Sequence, residues 1–186
     1  MRPIVLASKS PRRSQLLADC GFAFRVQTKD TDENFDAAMP IRDVAPFLAH
    51  KKAAACRHFI IGNEVLITAD TVVIVENEIF NKPENEAEAF AMLSILQGAQ
   101  HTVVTGVCLM TADHETVFAE ATKVWFSPMS DDEIRFYIQN YHPFDKAGSY
   151  GAQDWVGLTQ ITRLEGTYTN VMGLPTAQLY RKLLEI

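Results

Sequence analysis

Apolar and polar positions along the chain fall into short blocks whose spacing alternates between strand and helix periods. Ile4-Val5-Leu6-Ala7 is wholly apolar, as expected of a strand buried on both faces, and predicts a strand over 3–7. Gln15-Leu16-Leu17 then places apolar groups at helical spacing, predicting a helix over 11–20 that Gly21 closes. Ser10 can cap that helix, and Pro11 suits its first turn because its missing N–H would have gone unpaired. Phe22, Phe24 and Val26 alternate, so a second strand follows, and the polar stretch 29–40 reads as a loop bearing Asp30, Asp32 and Glu33. From 41 to about 58 the pattern is helical, with Val44, Phe47 and Leu48 on one face and an alanine-rich stretch behind them.

The second half continues the alternation. Residues 65–75 are apolar and β-branched on both sides of Asp70, and Glu76-Asn77 reads as a hairpin turn into Ile79-Phe80. A helix is expected over 85–96, with Phe90, Leu93 and Leu96 on one side and Gly98 beyond it. Residues 103–110 and 116–126 read as a strand pair joined around Asp113-His114, and Ser130-x-x-Glu133 is a capping box opening a helix to about 140. An irregular segment over 141–157, a strand over 159–165, a glycine-bearing loop over 166–173 and a helix from Pro175 complete the pattern. Strands and helices interleave with hairpins, so the class is α/β with a mixed β-sheet and flanking helices.

Composition narrows the function classes. A chain of 186 residues with 47% apolar and 22% charged residues has enough core for one domain, with room for two lobes around a shared cleft. The net charge of −6 argues against a surface that coats nucleic acid, so phosphate-binding cations would have to be gathered locally. Cys20, Cys56 and Cys108 are far apart and form no Cys-x-x-Cys pair, as expected of reduced core thiols rather than a zinc site or a disulfide framework. The opening residues carry too few apolar groups for a signal peptide, and no apolar run reaches membrane-spanning length. A cytoplasmic protein with no membrane or nucleic-acid partner is expected.

Several groups stand out chemically. In Ser8-Lys9-Ser10-Pro11-Arg12-Arg13 a strand ends in hydroxyls and basic groups where a helix begins. Free N–H groups at a helix N-terminus, together with forked guanidiniums, suit a polyphosphate. Asp70 is a carboxylate inside an otherwise buried run, which is costly unless it is paired or bound to a cation; a structural aspartate bonded to backbone amides, or a bend between strands, would look the same. Glu33 supplies a second acid from the polar loop, Lys52 lies on a helix, and Pro83 stiffens the backbone that presents Lys82. His101-x-x-x-Thr105-Gly106 and Lys146-Ala147-Gly148-x-Tyr150-x-x-Gln153 set polar groups beside small residues, which permit close approach by another element or a ligand. There is no P-loop lysine motif, nucleophile elbow or His-Glu-x-x-His, and His50, His58, His101, His114 and His142 show no metal-site spacing. Oxygen ligands beside basic groups suit a Mg²⁺- or Mn²⁺-assisted polyphosphate site better than zinc.

From residue 4 to about 180 the chain resembles the Maf family of nucleoside triphosphate pyrophosphatases. The matching segments are Leu6-Ala7-Ser8-x-Ser10-Pro11-Arg12-Arg13, Asp32-Glu33, Leu48-Ala49-x-x-Lys52-Ala53, Ala69-Asp70-Thr71, Lys82-Pro83, Gly98-x-x-His101, Lys146-Ala147-Gly148-x-Tyr150 and Asn170-Val171-x-Gly173-Leu174-Pro175. Arg12, Thr71 and Gln153 match the pattern of the family's dTTP/UTP branch, where the 7-methyl-GTP branch carries other residues.

The resemblance implies a single Maf-like domain over 1–186, similar in fold to inosine triphosphate pyrophosphatases, with two lobes around a central cleft. It implies hydrolysis of dTTP and UTP, and of modified pyrimidine triphosphates, to the monophosphate and pyrophosphate, a house-cleaning step in nucleotide metabolism. By that resemblance Ser8, Ser10, Arg12, Arg13, Lys52 and Lys82 would hold phosphate, and Arg12, Thr71 and Gln153 would set substrate choice. Glu33 and Asp70 would hold a divalent cation (Mg²⁺, Mn²⁺ or Co²⁺), with Asp70 also the proton acceptor; sequence leaves open which carboxylate is ligand and which is base. A homodimer is common in the family. The rival readings are a non-catalytic nucleotide-binding regulator of cell division, a nucleic-acid-binding module, and a related enzyme acting on another triphosphate.

Overall fold

In the computed structural model, which describes residues 2–186, the apolar run at the start forms strand β1 (Ile4–Leu6), buried throughout. Helix α1 (Pro11–Asp19) follows, then β2 (Phe24–Val26) and α2 (Val44–Cys56), the latter flanked by single 3-10 turns at Ile41–Asp43 and Arg57–Phe59. Next come β3 (Val65–Val75), β4 (Glu78–Phe80), α3 (Glu86–Leu96), β5 (Gln100–Met110), β6 (Glu115–Phe126) and α4 (Asp131–Tyr141). The chain ends with α5 (Trp155–Gln160), β7 (Ile161–Glu165), α6 (Tyr168–Val171) and α7 (Thr176–Leu184).

Seven strands form one mixed sheet in the order β2-β1-β3-β5-β6-β7, with β4 added to β3. β1 runs parallel to both β2 and β3, whereas β4 and β7 pair antiparallel with β3 and β6. The expected turn at 76–77 is present, with Glu76 in the left-handed region at φ 54°. At the tip between β5 and β6, His114 closes the turn by donating its N–H to Thr111 Oγ1 (3.0 Å) while its carbonyl accepts from Thr111 N–H (2.8 Å). The capping box at Ser130 and Glu133 forms in full.

Several expectations need correction. Ser10 sits at the N-cap of α1, but its side chain makes no capping bond; its N–H instead donates to Ser8 Oγ at 3.2 Å. Phe47 is exposed on α2 rather than sharing the buried face of Val44 and Leu48. The segment expected to be irregular holds two 3-10 turns and the start of α5, which runs to Gln160 and shortens the expected strand. The loop over 166–173 contains α6, capped by Thr167 Oγ1 accepting from Asn170 N–H. Cys56 and Cys108 are core thiols, and burial pushes Cys108 up to about 12, but Cys20 is exposed.

The chain divides into two compact units. The first comprises the residues up to Thr71 with Thr105–Glu120 and Gly173–Ile186. Its core includes Val5, Ala49, Ala53, Cys56, Leu66 and Cys108. The second comprises Val72–Val104 and Ala121–Met172, with Leu93, Leu96, Val124, Ile134, Tyr137 and Tyr150 in its core.

In the first unit, α2 lies unusually near the sheet. A Cβ on Gly106 would stand 2.3–2.4 Å from the backbone of Ala45 and Pro46, so only glycine admits the helix at this height. Ala49 and Ala53 continue the same fully buried face, and Thr68 Oγ1 donates to the Ala49 carbonyl at 2.7 Å. The small residues of α2 thus bring the helix against β3, and Lys52 rides on it. Replacing Gly106 with alanine forces backbone apart and is expected to cost about 3 kcal/mol of stability, read from denaturant melts against wild type; a loss below about 0.5 kcal/mol would show that the helix does not depend on this contact.

Candidate active site

The parallel register of β1 and β3 pairs Leu6 with Ile67, so the segment leaving β1 runs on beside the stretch of β3 that carries Asp70 and Thr71. β3 is one continuous strand through Asp70, with no bend there, and Asp70 is only 9% exposed. Its compensation is Lys52. The Lys52 ammonium donates to Asp70 Oδ1 and, at 2.7 Å, to Glu33 Oε1, so two carboxylates from distant parts of the sequence meet one cation. Neighbouring Lys51 steadies the acidic loop by donating to Asp32 Oδ2 (2.9 Å) and to the Asn34 carbonyl (2.8 Å).

Arg13 organises the other flank. Its Nε donates to the Gly173 carbonyl at 2.8 Å, one terminal nitrogen to Thr71 Oγ1 at 3.0 Å and the other to Ser8 Oγ at 3.4 Å. Thr71 Oγ1 in turn shares a 2.9 Å hydrogen bond with Thr105 Oγ1. Loss of solvent lowers the Arg13 pKa from its ordinary value, with Asp70 opposing the shift and Arg12 adding to it. Gly173, at φ 106°, passes so near that a Cβ would stand 3.4 Å from Thr71 Oγ1. Hydrogen bonds therefore link Ser8, Arg13 and Thr71 in one group and Glu33, Lys52 and Asp70 in another, and the adjacency of Asp70 and Thr71 in β3 joins the two within one unit. Ser10 and Arg12 belong to the same unit at the start of α1.

Lys82 and Gln153 belong to the second unit. Lys82 is exposed between Asn81 and the buried Pro83, and the Asn81 carbonyl accepts from Gly148 N–H at 3.1 Å. Gly148 (φ 68°) packs so tightly that a Cβ would stand 3.0 Å from both methyls of Val73. This ties the Lys82 segment to the turn leading to Gln153. The Gln153 side-chain oxygen is buried and has no hydrogen-bond partner, which leaves room in the amide's hydrogen-bonding capacity.

The sequence profile described as "Maf-like protein" matches residues 3–186. The chain belongs to the Maf family. Among similar proteins, the dTTP/UTP pyrophosphatase of Flavobacterium johnsoniae is 43% identical over 180 residues, covering 97% of this chain and 93% of that protein. The dTTP/UTP pyrophosphatase of Bacteroides fragilis is 44% identical over 184 residues, covering 98% and 95%. A solved HAM1 protein from Coxiella burnetii covers 100% of both chains at 15% identity and a TM-score of 0.52, a likeness of fold alone.

Two further residues of the family-matching segments serve the core. His101 is a core residue: 1% exposed, edge-on to Phe126 and Tyr150, and joined through Nε2 to the Tyr150 hydroxyl at 2.6 Å. Asn170 is equally buried and structural, donating to the Val103 carbonyl (3.2 Å) and to Thr122 Oγ1 (2.8 Å). Sequence reasoning gave no role to Thr105, Gly173, Tyr137 or Asp154, although each touches a candidate residue or its immediate support.

The donors fit a hard divalent cation. Glu33 and Asp70 already converge on one positive charge, the Lys52 ammonium, and both offer oxygen. Among the described residues no group of three or more His, Cys, Asp or Glu gathers, and Mg²⁺ commonly takes one or two carboxylates with phosphate oxygens completing its shell.

The burial of His101 has a measurable consequence. Burial pushes its pKa down to about 3, against 6.5 ordinarily. Between those values the unfolded chain binds a proton that the folded chain does not, so this histidine's contribution to stability falls as pH drops through that window. The slope is at most about 1.4 kcal/mol per pH unit. Denaturant melts at pH 7 and pH 5 should show a smaller pH dependence for His101→Gln than for wild type; equal slopes would contradict a neutral, buried imidazole.

Proposed function

We propose that residues 1–186 act as one Maf domain that hydrolyses dTTP and UTP, and modified pyrimidine triphosphates of the same shape, to the monophosphate and pyrophosphate. The observation that carries this reading is the convergence of Glu33 and Asp70 on a single ammonium, beside the Arg13–Thr71 link. Relatives above 40% identity over nearly the whole chain are dTTP/UTP pyrophosphatases, which supports the substrate class. A pure nucleotide-binding regulator would gain nothing from two carboxylates facing a polyanion.

Each residue takes a role that its chemistry allows. Asp70 accepts the proton of the attacking water, and the Lys52 ammonium then keeps Glu33 as its counter-charge. Ser8, Ser10, Arg12, Arg13, Lys52 and Lys82 bind the triphosphate and offset the charge on the departing pyrophosphate. Arg13 contributes through its remaining N–H groups, since its Nε is committed to Gly173. Glu33 and Asp70 would hold a divalent cation such as Mg²⁺, Mn²⁺ or Co²⁺. When bound, that cation supplies charge neutralisation on the phosphates and acidifies its water. Gln153 reads the base together with Arg12 and Thr71. Its amide can accept from the ring N–H of uracil and thymine while donating to a neighbouring ring carbonyl, an order that the cytosine edge does not present.

Two substitutions test this. Asp70→Asn should lower pyrophosphate release from UTP by at least about 10²-fold, with nucleotide binding and fold retained; turnover near the wild-type rate would refute the role of Asp70. Gln153→Glu replaces a group that donates and accepts with one that only accepts. The kcat/KM ratio of UTP over CTP should fall by about tenfold, and an unchanged ratio would show that Gln153 does not read the base.

A further inference from the structure

A compact polar assembly in the second unit braces the turn that carries Gln153. Asp154 follows Gln153 and begins α5, its N–H bonded to the Gly151 carbonyl at 3.1 Å and its own carbonyl accepting from Leu158 N–H at 2.9 Å. The Tyr137 hydroxyl, on the fully buried face of α4, donates to Asp154 Oδ2 at 3.0 Å and accepts from Gly151 N–H at 3.2 Å. Lys146 Nζ stands 3.6 Å from the same carboxylate oxygen. One phenol therefore ties together both residues that flank the Ala152-Gln153 step.

Gly151 gives the second, independent observation. Its φ lies outside the left-handed region, so no backbone requirement calls for glycine there. A Cβ would nonetheless stand 2.6 Å from Asp154 Oδ2 and 2.8 Å from Gln153 Nε2. The space that any other side chain would fill is occupied by the Asp154 carboxylate and the Gln153 amide. Gly157 packs the turn from the far side, where a Cβ would stand 2.0 Å from the Ala152 carbonyl oxygen.

We propose that Gly151, Tyr137 and Asp154 are specificity-positioning residues, which hold the turn that carries Gln153 so that its amide keeps one orientation. The inference rests on the reading of Gln153 as the base reader. The carboxylate of Asp154 fixes the phenol, the phenol fixes the Gly151 amide, and the bare Cα of Gly151 lets the Gln153 amide nitrogen come close to the turn. An amide that cannot rotate offers one donor–acceptor order, which is what separates a uracil edge from a cytosine edge. The high pKa that burial and Asp154 impose on Tyr137 keeps its proton in place throughout the neutral range.

Steady-state kinetics of wild type, Gln153→Ala, Gly151→Ala and Tyr137→Phe with UTP and CTP, alongside thermal melts, test the proposal. Should no triphosphate turn over, the same ratio is read from dissociation constants of the α,β-methylene analogues. Gln153→Ala should lower the UTP:CTP ratio by about tenfold. Gly151→Ala should reproduce most of that loss and Tyr137→Phe about threefold of it, with the change in KM for UTP exceeding that in kcat. A purely structural role would lower the melting temperature and leave the ratio alone. If Gln153→Ala shifts the ratio while Gly151→Ala and Tyr137→Phe keep the wild-type value, the positioning role is overturned and the base-reading role stands. If Gln153→Ala leaves the ratio unchanged, both fall together.

Discussion

A carboxylate in the middle of an eleven-residue buried strand has to be compensated, and much of the first unit is arranged around how Asp70 achieves this. Removing an unpaired carboxylate from water costs several kcal/mol even after the protein relaxes. Lys52 meets that cost, but only because α2 lies close enough to β3 for its ammonium to arrive, which requires Gly106, Ala49 and Ala53 where larger residues would hold the helix off. Lys52 then has capacity to bind Glu33 as well, and this draws the polar loop onto the strand. One desolvated charge thus specifies the packing height of a helix, the placing of a loop and the electrostatics of the candidate site.

The same logic explains why the site is held by hydrogen bonds rather than by apolar packing. Arg13 spends three of its nitrogens on Gly173, Thr71 and Ser8, groups from three separate stretches of sequence. A guanidinium suits this work because its donors are fixed in a plane, so satisfying one contact orients the others. Thr71 is thereby pinned between Arg13 and Thr105 before any substrate binds. In the second unit Tyr137 plays the corresponding part for the turn that carries Gln153. Preorganisation of this kind avoids reordering polar groups at the moment of reaction.

Much of this was legible in the sequence, and the residues that were not share a physical reason. Asp70 announced itself because a charge inside a β-branched run violates the local pattern, and Glu76-Asn77, Gly98 and the Ser130–Glu133 box marked real element ends. Ser10 was misread as a side-chain cap because cap preference describes a residue type, whereas here the neighbouring Ser8 hydroxyl takes the bond from the Ser10 amide. The helices α5 and α6 were missed because segments of 6 and 4 residues are too short for a helical period to show. Tyr137 was hidden for the opposite reason: at helical spacing it looks like any core aromatic, and only its hydroxyl contacts reveal a second duty. Gly151 carried no signal either, since a glycine without a left-handed φ is recognised as necessary only once its neighbours are placed.

The proposed hydrolysis places the attacking water on the α-phosphorus, with pyrophosphate as the leaving group. Hydrolysis of UTP in ¹⁸O-enriched water, followed by mass spectrometry of both products, tests it most directly. The account predicts one heavy oxygen in UMP and none in pyrophosphate. Label in pyrophosphate, or release of labelled inorganic phosphate with UDP, would place the attack at another phosphorus and contradict it.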